Sequence, residues 1–409
     1  MGVSNVSIAG SAPDVWDVLR REFTISHEVT RPEVQEQIRW LVAHPSYINK
    51  VSSQSEPYIY HIIGEIKKRK LPGELALIPM VESAYDPFVY SGAGAAGLWQ
   101  LMPRTGSELG LKQDWWFDGR RSIRPSTDAA LNYLIYLNKF FNGNWILAIA
   151  AYDAGEGTIG RAIKSTTNPG KTVFFWNLPV PRETKLYVPR LLALAEIIKN
   201  PGRYHVSLPN IPYLPYFEEV NIGSQIDLNH AAKLAGITYK ELKKLNPGYN
   251  RWTTAPYKPF KLLIPAEKVE RFNLNLSNFP EDKRVSWPKH QVQKGDSLDS
   301  IAARYNTTVK LIKQLNQLTG NNVKQDQAIL IPSSKKPPVI VKQQLPVSKT
   351  APNNSSQSKG QQLVYIVKKG DSLSVIAKRN QTKVKAILAL NPGLRKNKIL
   401  RLGQKIRIG

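Results

Sequence analysis

Two stretches of this 409-residue chain repeat each other, and that repetition constrains its fold more than any other feature. Residues 293–316 read QKGDSLDSIAARYNTTVKLIKQLN and residues 368–391 read KKGDSLSVIAKRNQTKVKAILALN. Lys294 and Lys369, Gly295 and Gly370, Asp296 and Asp371, Ser297 and Ser372, Leu298 and Leu373, Ile301 and Ile376, and Asn316 and Asn391 coincide at one offset, the mark of a duplicated unit. Each copy opens with a short alternating strand (290–293; 364–367) and a Gly-Asp-Ser turn whose Asp or Ser suits a helix N-cap. Leu298, Ile301 and Ala302 mark one helical face. A second helix is expected from Thr307 or Thr382 onward, carrying Val309, Ile312 and Leu315 in the first copy, and a closing strand (328–331; 405–408) ends the unit. A β-α-α-β unit of about 45 residues lies near the lower size limit for a domain without staples.

With its KGDSL-x-x-IA signature this unit resembles the LysM module, and the resemblance implies binding to N-acetylglucosamine-containing glycans. LysM units are therefore expected over 288–333 and 363–409. Between them, 334–361 is rich in Lys, Pro, Ser, Gln and Asn without a period, which predicts a flexible linker. Residues 217–264 have a similar outline: EEVNIG as a strand, NHAAKLAG and TYKELKKLNPGYN as helices, FKLLIP as a closing strand. The GDSL turn is missing, so 216–268 is read as a divergent LysM-like unit, with an unrelated α+β connector as the other reading.

The chain is too long for one ordinary core, and its first 200 residues read differently from the rest. Helices are expected over 32–44, 57–70, 127–141, 145–154 and 184–200, the first two opening on proline, whose missing N–H costs least there. The fold class is thus multidomain: a helical half, with a 1–61 extension ahead of a domain over 62–205, followed by small βααβ modules. Cysteine is absent, which excludes disulfide frameworks, thiolate zinc sites and cysteine nucleophiles. His27, His44, His61, His205, His230 and His290 form no metal-binding spacing, so neither metal nor cofactor is expected. No apolar run approaches the ~20 residues of a membrane span, and residues 1–20 lack a basic segment followed by a hydrophobic one, so no transmembrane segment, signal peptide or lipid-modifiable cysteine is read here.

General-acid chemistry near neutral pH needs a carboxyl in an apolar setting. Residues 75–81 (LALIPMV) are such a setting and end in Glu82-Ser83, although composition alone also allows a solvated helix glutamate. Downstream lie the Gly/Ala-rich 91–97, which permits close backbone approach, and Gln100, Tyr152 and Tyr187, whose amide and phenol groups suit sugar hydroxyls and acetamides. Each taken singly also reads as a turn, a cap or a core residue.

Four segments appear in order: Glu82-Ser83, Gly97-Leu-Trp-Gln100, Ala151-Tyr-Asp-Ala-Gly155 and Glu183-Thr-Lys-Leu-Tyr187-Val188. Together they resemble the lytic transglycosylases of the goose-type lysozyme fold, most closely the membrane-bound lytic transglycosylase D family. The resemblance implies a lysozyme-like catalytic domain with Glu82 as catalytic acid and Ser83, Ser91, Gln100, Tyr152, Asp153, Glu183 and Tyr187 as substrate-binding residues. It also implies cleavage of the β-1,4 bond between N-acetylmuramic acid and N-acetylglucosamine, with formation of 1,6-anhydromuramyl ends. The chain departs from the family in carrying Asp153 where Asn is usual and Trp99 where Met is usual. An ionised Asp accepts but cannot donate a hydrogen bond, which puts any acetamide contact at that position in question.

Other readings remain: a muramidase using water across a carboxyl gap of ~6.5–9.5 Å, or a non-catalytic peptidoglycan-binding protein working through its LysM units. Charge raises a third. Residues 284–409 hold 24 Lys/Arg against four acids, a net +20 of the chain's +26, and such a segment suits polyanions. The basic residues are spread over duplicated units with no recognition helix, RNP motif or zinc finger, so nucleic acid is not the expected partner. Peptidoglycan strands are, with a monomer acting in the periplasm or at the outer-membrane face, as the substrate's location implies.

Overall fold

The computed structural model describes residues 12–166, 173–333, 364–367, 372–379, 384–391, 394 and 404–407. The expected linker at 334–361, the second Gly-Asp turn and Thr382 lie outside the described residues. Contacts divide the chain into two compact units, Met1–Val339 and Ile340–Gly409.

The first part of unit one is helical, as the three- and four-residue spacing of its apolar side chains dictates. Helices Pro32–Ala43, Ile123–Phe140, Trp145–Ala154 and Arg182–Lys199 stand where they were expected. The helix expected over 57–70 is instead Pro45–Arg69, with Pro57 buried inside it. Pro45 occupies the first turn and so serves as the start, while Pro57 removes one internal N–H bond from a helix held by buried Ile59, Ile62, Ile63 and Ile66. Trp145–Ala154 is apolar on nearly every face, with Leu147, Ala148, Ile149, Ala150 and Ala151 all buried, which makes it the central helix of the core. Arg182–Lys199 packs against both it and Pro32–Ala43. The N-terminal segment is pinned to this core by His27, whose ring nitrogens lie 3.3 Å from Glu74 and 3.0 Å from Glu196, all three buried.

Among the described residues three two-stranded antiparallel sheets follow, one per small module. The divergent module pairs Phe217–Asn221 with Lys261–Pro265, the next pairs Lys289–Gln291 with Ala328–Leu330, and unit two pairs Val364–Ile366 with Lys405–Arg407. Between the strands come helices Leu228–Ala235 and Tyr239–Leu245, then Leu298–Arg304 and Val309–Asn316, then Leu373–Arg379 and Val384–Leu390. In the first repeat Ser297 is the N-cap and forms a capping box with Ser300, and the second helix, Val309–Asn316, is capped by Thr308 rather than Thr307.

One asparagine repeats its geometry in all three modules. Asn316 donates through Nδ2 to the carbonyls of Ile312 and Leu330 at 2.8 Å and accepts from Leu330 N–H at 2.8 Å, tying the second helix to the closing strand. Asn391 does the same with Ile387 and Arg407, and Asn246 with Leu242 and Leu263. The divergent module, which lacks the GDSL turn, thus keeps the LysM closure, and a further helix, Val269–Ser277, packs on it through Phe272 and Leu276.

Candidate active site

Glu82 stands at the end of a buried hydrophobic path. The 3-10 turn Gly73–Leu77 and short helix Ile78–Glu82 bury Leu75, Ala76, Leu77, Ile78 and Met80 completely. The helix then stops abruptly: Ala84 and Tyr85 both adopt left-handed backbone, φ 51° and 58°, and Tyr85 N–H returns to Pro79 O at 3.0 Å. Ser83 turns inward, donating to Leu98 O at 2.9 Å and to Pro79 O at 3.2 Å. Its hydroxyl thereby joins the glutamate turn to the 91–101 loop.

That loop folds back on itself. Ser91 Oγ accepts from Ala95 N–H at 2.9 Å, and Tyr90 bridges to Ala96. Gly97, at φ +81°, lies so close to Arg120 that a Cβ there would overlap the Arg120 carbonyl oxygen. Gln100 also adopts left-handed backbone, φ 45°, held by its own Nε2 donating to Gly97 O at 2.8 Å and Val89 O at 3.2 Å. With Nε2 so engaged, the hydrogen-bonding capacity of its carboxamide oxygen is that of an acceptor. Trp99 is fully buried, and its indole N–H donates to Thr127 at 3.0 Å. Asp118 accepts from Tyr90 O–H at 3.0 Å and Arg120 donates to Gly94 O at 2.7 Å, so this charged pair braces the loop from behind. Sequence reasoning passed over both residues; the Asp118-Gly-Arg120-Arg121 run directly after Trp115-Trp116-Phe117 was the available signal.

Two helices close the site. Tyr152 comes from Trp145–Ala154 and donates to Trp99 O at 2.7 Å, and Asp153 beside it accepts from Thr184 O–H at 2.6 Å. Tyr187, buried on Arg182–Lys199, donates its phenolic proton to Glu82 Oε1 at 2.8 Å. Glu183 lies in the first turn of that helix, exposed, and influences Glu82 through its charge. Of the expected residues, Glu82, Tyr187, Tyr152 and Asp153 share contacts or electrostatic influence, whereas the side chains of Ser91 and Gln100 bond within the 89–97 loop, Ser83 is spent on backbone and Glu183 acts through its charge.

Burial pushes the Glu82 carboxyl up to about 8; the Tyr187 hydrogen bond opposes this, and the charges of Asp153 and Glu183 reinforce it. Asp153 is itself raised, by burial first and by Glu183, against the pull of its Thr184 bond. Tyr152 and Tyr187 are both pushed well above the ordinary tyrosine range, by burial and then by Glu82. The arrangement is one carboxyl kept protonated at neutral pH, a neutral phenol donor on it, and polar groups of the 91–100 loop nearby. That can deliver a proton and take one back. Among the described residues no cluster of His, Asp or Glu has the geometry to hold a metal ion, and no helix is long and apolar enough to cross a membrane.

Residues 60–175 match the family model for the transglycosylase SLT domain, 216–280 that for the LysM-like domain of lytic transglycosylase MltD, and 290–332 and 365–409 that for the LysM domain. Membrane-bound lytic murein transglycosylase D of Escherichia coli (strain K12) is 38% identical over 392 residues, covering 92% of this chain and 82% of that protein. The endolysin of Bacillus phage PZA is 31% identical over 166 residues, covering 39% of this chain and 55% of its own length. The 70 kDa soluble lytic transglycosylase from Escherichia coli aligns with 42% of this chain and 31% of its own, at 20% identity and a TM-score of 0.29.

Proposed function

The chain belongs to the membrane-bound lytic murein transglycosylase D family and is a peptidoglycan lytic transglycosylase, and on that premise we propose that Glu82 is its single catalytic acid and then its base. The observation that carries this is a desolvated Glu82 with the Tyr187 phenol bonded to it: burial keeps the carboxyl protonated near neutrality, and Tyr187 gives its conjugate base a donor.

Glu82 gives its proton to the glycosidic oxygen between N-acetylmuramic acid and N-acetylglucosamine, and the C1–O bond breaks. The neighbouring 2-acetamido oxygen supports the positive charge at C1, standing in for the nucleophilic carboxylate of a two-carboxyl glycosidase. Ionised Glu82 then takes the proton of the muramyl C6 hydroxyl, whose oxygen bonds to C1. The products are a free 4-hydroxyl on N-acetylglucosamine and a 1,6-anhydromuramyl end, with no water consumed and Glu82 protonated again. Tyr187 steadies the carboxylate between the two transfers. Gln100 offers its carboxamide oxygen and Ser91 its hydroxyl to the sugar, Tyr152 holds the Trp99 backbone against them, and Asp153 sets the charge around Glu82. Murein lies outside the cytoplasmic membrane, so the enzyme works in the periplasm or at the outer-membrane face, held on its polymer by the LysM modules and their basic surface.

Digestion of purified murein by the native chain and by Glu82→Gln tests the assignment. Loss of about 10³-fold or more in the variant, with its fold intact by circular dichroism, supports it; a variant within tenfold of native removes Glu82 from the chemistry.

A further inference from the structure

Four tryptophans, supplied by the helical domain, the divergent module and the approach to the first LysM repeat, meet at one point of unit one. Trp115 and Trp116 sit on the loop before helix Ile123–Phe140, Trp252 between helix Tyr239–Leu245 and strand Lys261–Pro265, and Trp287 just before strand Lys289–Gln291. Trp116 is fully buried and meets Trp287 edge-on at 5.7 Å, Trp252 lies 4.6 Å from Trp287, and Trp115 4.5 Å from Trp116. Three indole N–H groups cross module boundaries or lock them: Trp116 donates to Gln314 at 3.3 Å, Trp252 to Ser333 O at 3.1 Å and Trp287 to Gln225 at 3.2 Å.

The first repeat answers with one face of a helix. On Val309–Asn316, Ile312 points into the module's own core, whereas Leu315 is buried in the tryptophan cluster and Leu311 packs beside it. Apolar and indole surface closed by directional bonds gives a fixed mount rather than a mobile tether. The mount is also continuous with the site, since Asp118 lies two residues beyond Trp116 and accepts from Tyr90, the neighbour of Ser91.

We infer that the first LysM repeat is a rigid arm of the catalytic domain which, by gripping the glycan at a set separation from Glu82, gauges where along a strand the cut falls; Trp116, Trp287, Leu311 and Gln314 are its positioning residues. The inference rests on the transglycosylase reading and on glycan binding by that repeat. A tethered module raises local concentration without fixing a register. A mounted one fixes both.

The absence of cysteine permits a direct test. Spin labels at Lys139→Cys and Asn322→Cys, both exposed sites, should give one narrow distance in the full chain, broadened by Leu311→Asp. Long uncross-linked glycan strands should yield a defined product-length distribution with the native chain and with Leu311→Met, and one at least twofold broader with Leu311→Asp. Cleavage of a tetrasaccharide should stay within twofold across all three. Should Leu311→Asp fail to fold, Gln314→Ala supplies the milder release. A broad distance in the native chain overturns the inference, as does an unchanged product distribution once the mount is loosened. A native chain that cleaves neither substrate overturns the transglycosylase reading, and the inference with it.

Discussion

Tyr187 donates to Glu82 Oε1 across 2.8 Å, joining residues 105 positions apart in the chain. That bond favours the ionised carboxyl, while burial and the charges of Asp153 and Glu183 favour the protonated one, and burial wins. The outcome is a carboxyl that keeps its proton at neutral pH and whose ionised form retains a hydrogen-bond donor.

The pH profile should carry this balance. The proposed mechanism needs protonated Glu82 in the free enzyme, so kcat/KM on murein should fall as pH rises through about 8. Asp153→Asn removes a negative charge that raises Glu82 and should move this limb to lower pH. Tyr187→Phe removes the bond that lowers Glu82 and should move it to higher pH, with the rate down by about 10- to 100-fold. Initial rates from pH 5 to 10 for the three proteins check both signs.

Stability should move the opposite way from activity at the same residue. A carboxyl raised from its ordinary 4.5 to about 8 destabilises the folded state increasingly between those two values. Glu82→Gln should therefore resist urea better than native at pH 8, by roughly 1–3 kcal/mol, and unfold like native at pH 4. Equal midpoints at pH 8 would mean that the carboxyl is not desolvated.

Gly97→Ala should damage fold and site together. The added Cβ meets the Arg120 carbonyl and the backbone is held at φ +81°, so a loss of about 2–4 kcal/mol is expected, along with displacement of Gln100. Melting temperature and murein turnover should fall together, and Gly92→Ala, with open space at its Cβ, serves as the control.

Asn316→Ala should loosen one module alone. It strips the Leu330 N–H and two carbonyls of their partner at a part-buried position, a loss of roughly 2–3 kcal/mol. Amide exchange should quicken in 289–330 and stay native-like in Trp145–Ala154.

Much of this architecture is legible in the amino-acid sequence. The GDSL repeats announce their helices and strands because local chemistry, caps and alternation decides them, and Leu75 to Val81 announce a dry setting for Glu82. Contacts of long separation are another matter. No periodicity pairs Tyr187 with Glu82, and nothing in Ser83 tells that its hydroxyl turns inward to Leu98 instead of toward sugar. The tryptophan mount is invisible for the same reason, its members lying on loops as far apart as Trp115 and Trp287. Pro57 misled because burial of one helix face outweighed a single missing hydrogen bond, and Asn246, legible in LNPG, outlasted the turn by which the divergent module was judged.

Digestion of murein in ¹⁸O-labelled water measures the central claim most directly, because a proton shuttle through Glu82 that closes the C6 oxygen onto C1 never uses solvent. Product muropeptides from the native chain should be lighter than reducing-end fragments by one water and free of label. Labelled, reducing muramic ends would contradict the account and assign the second step to water.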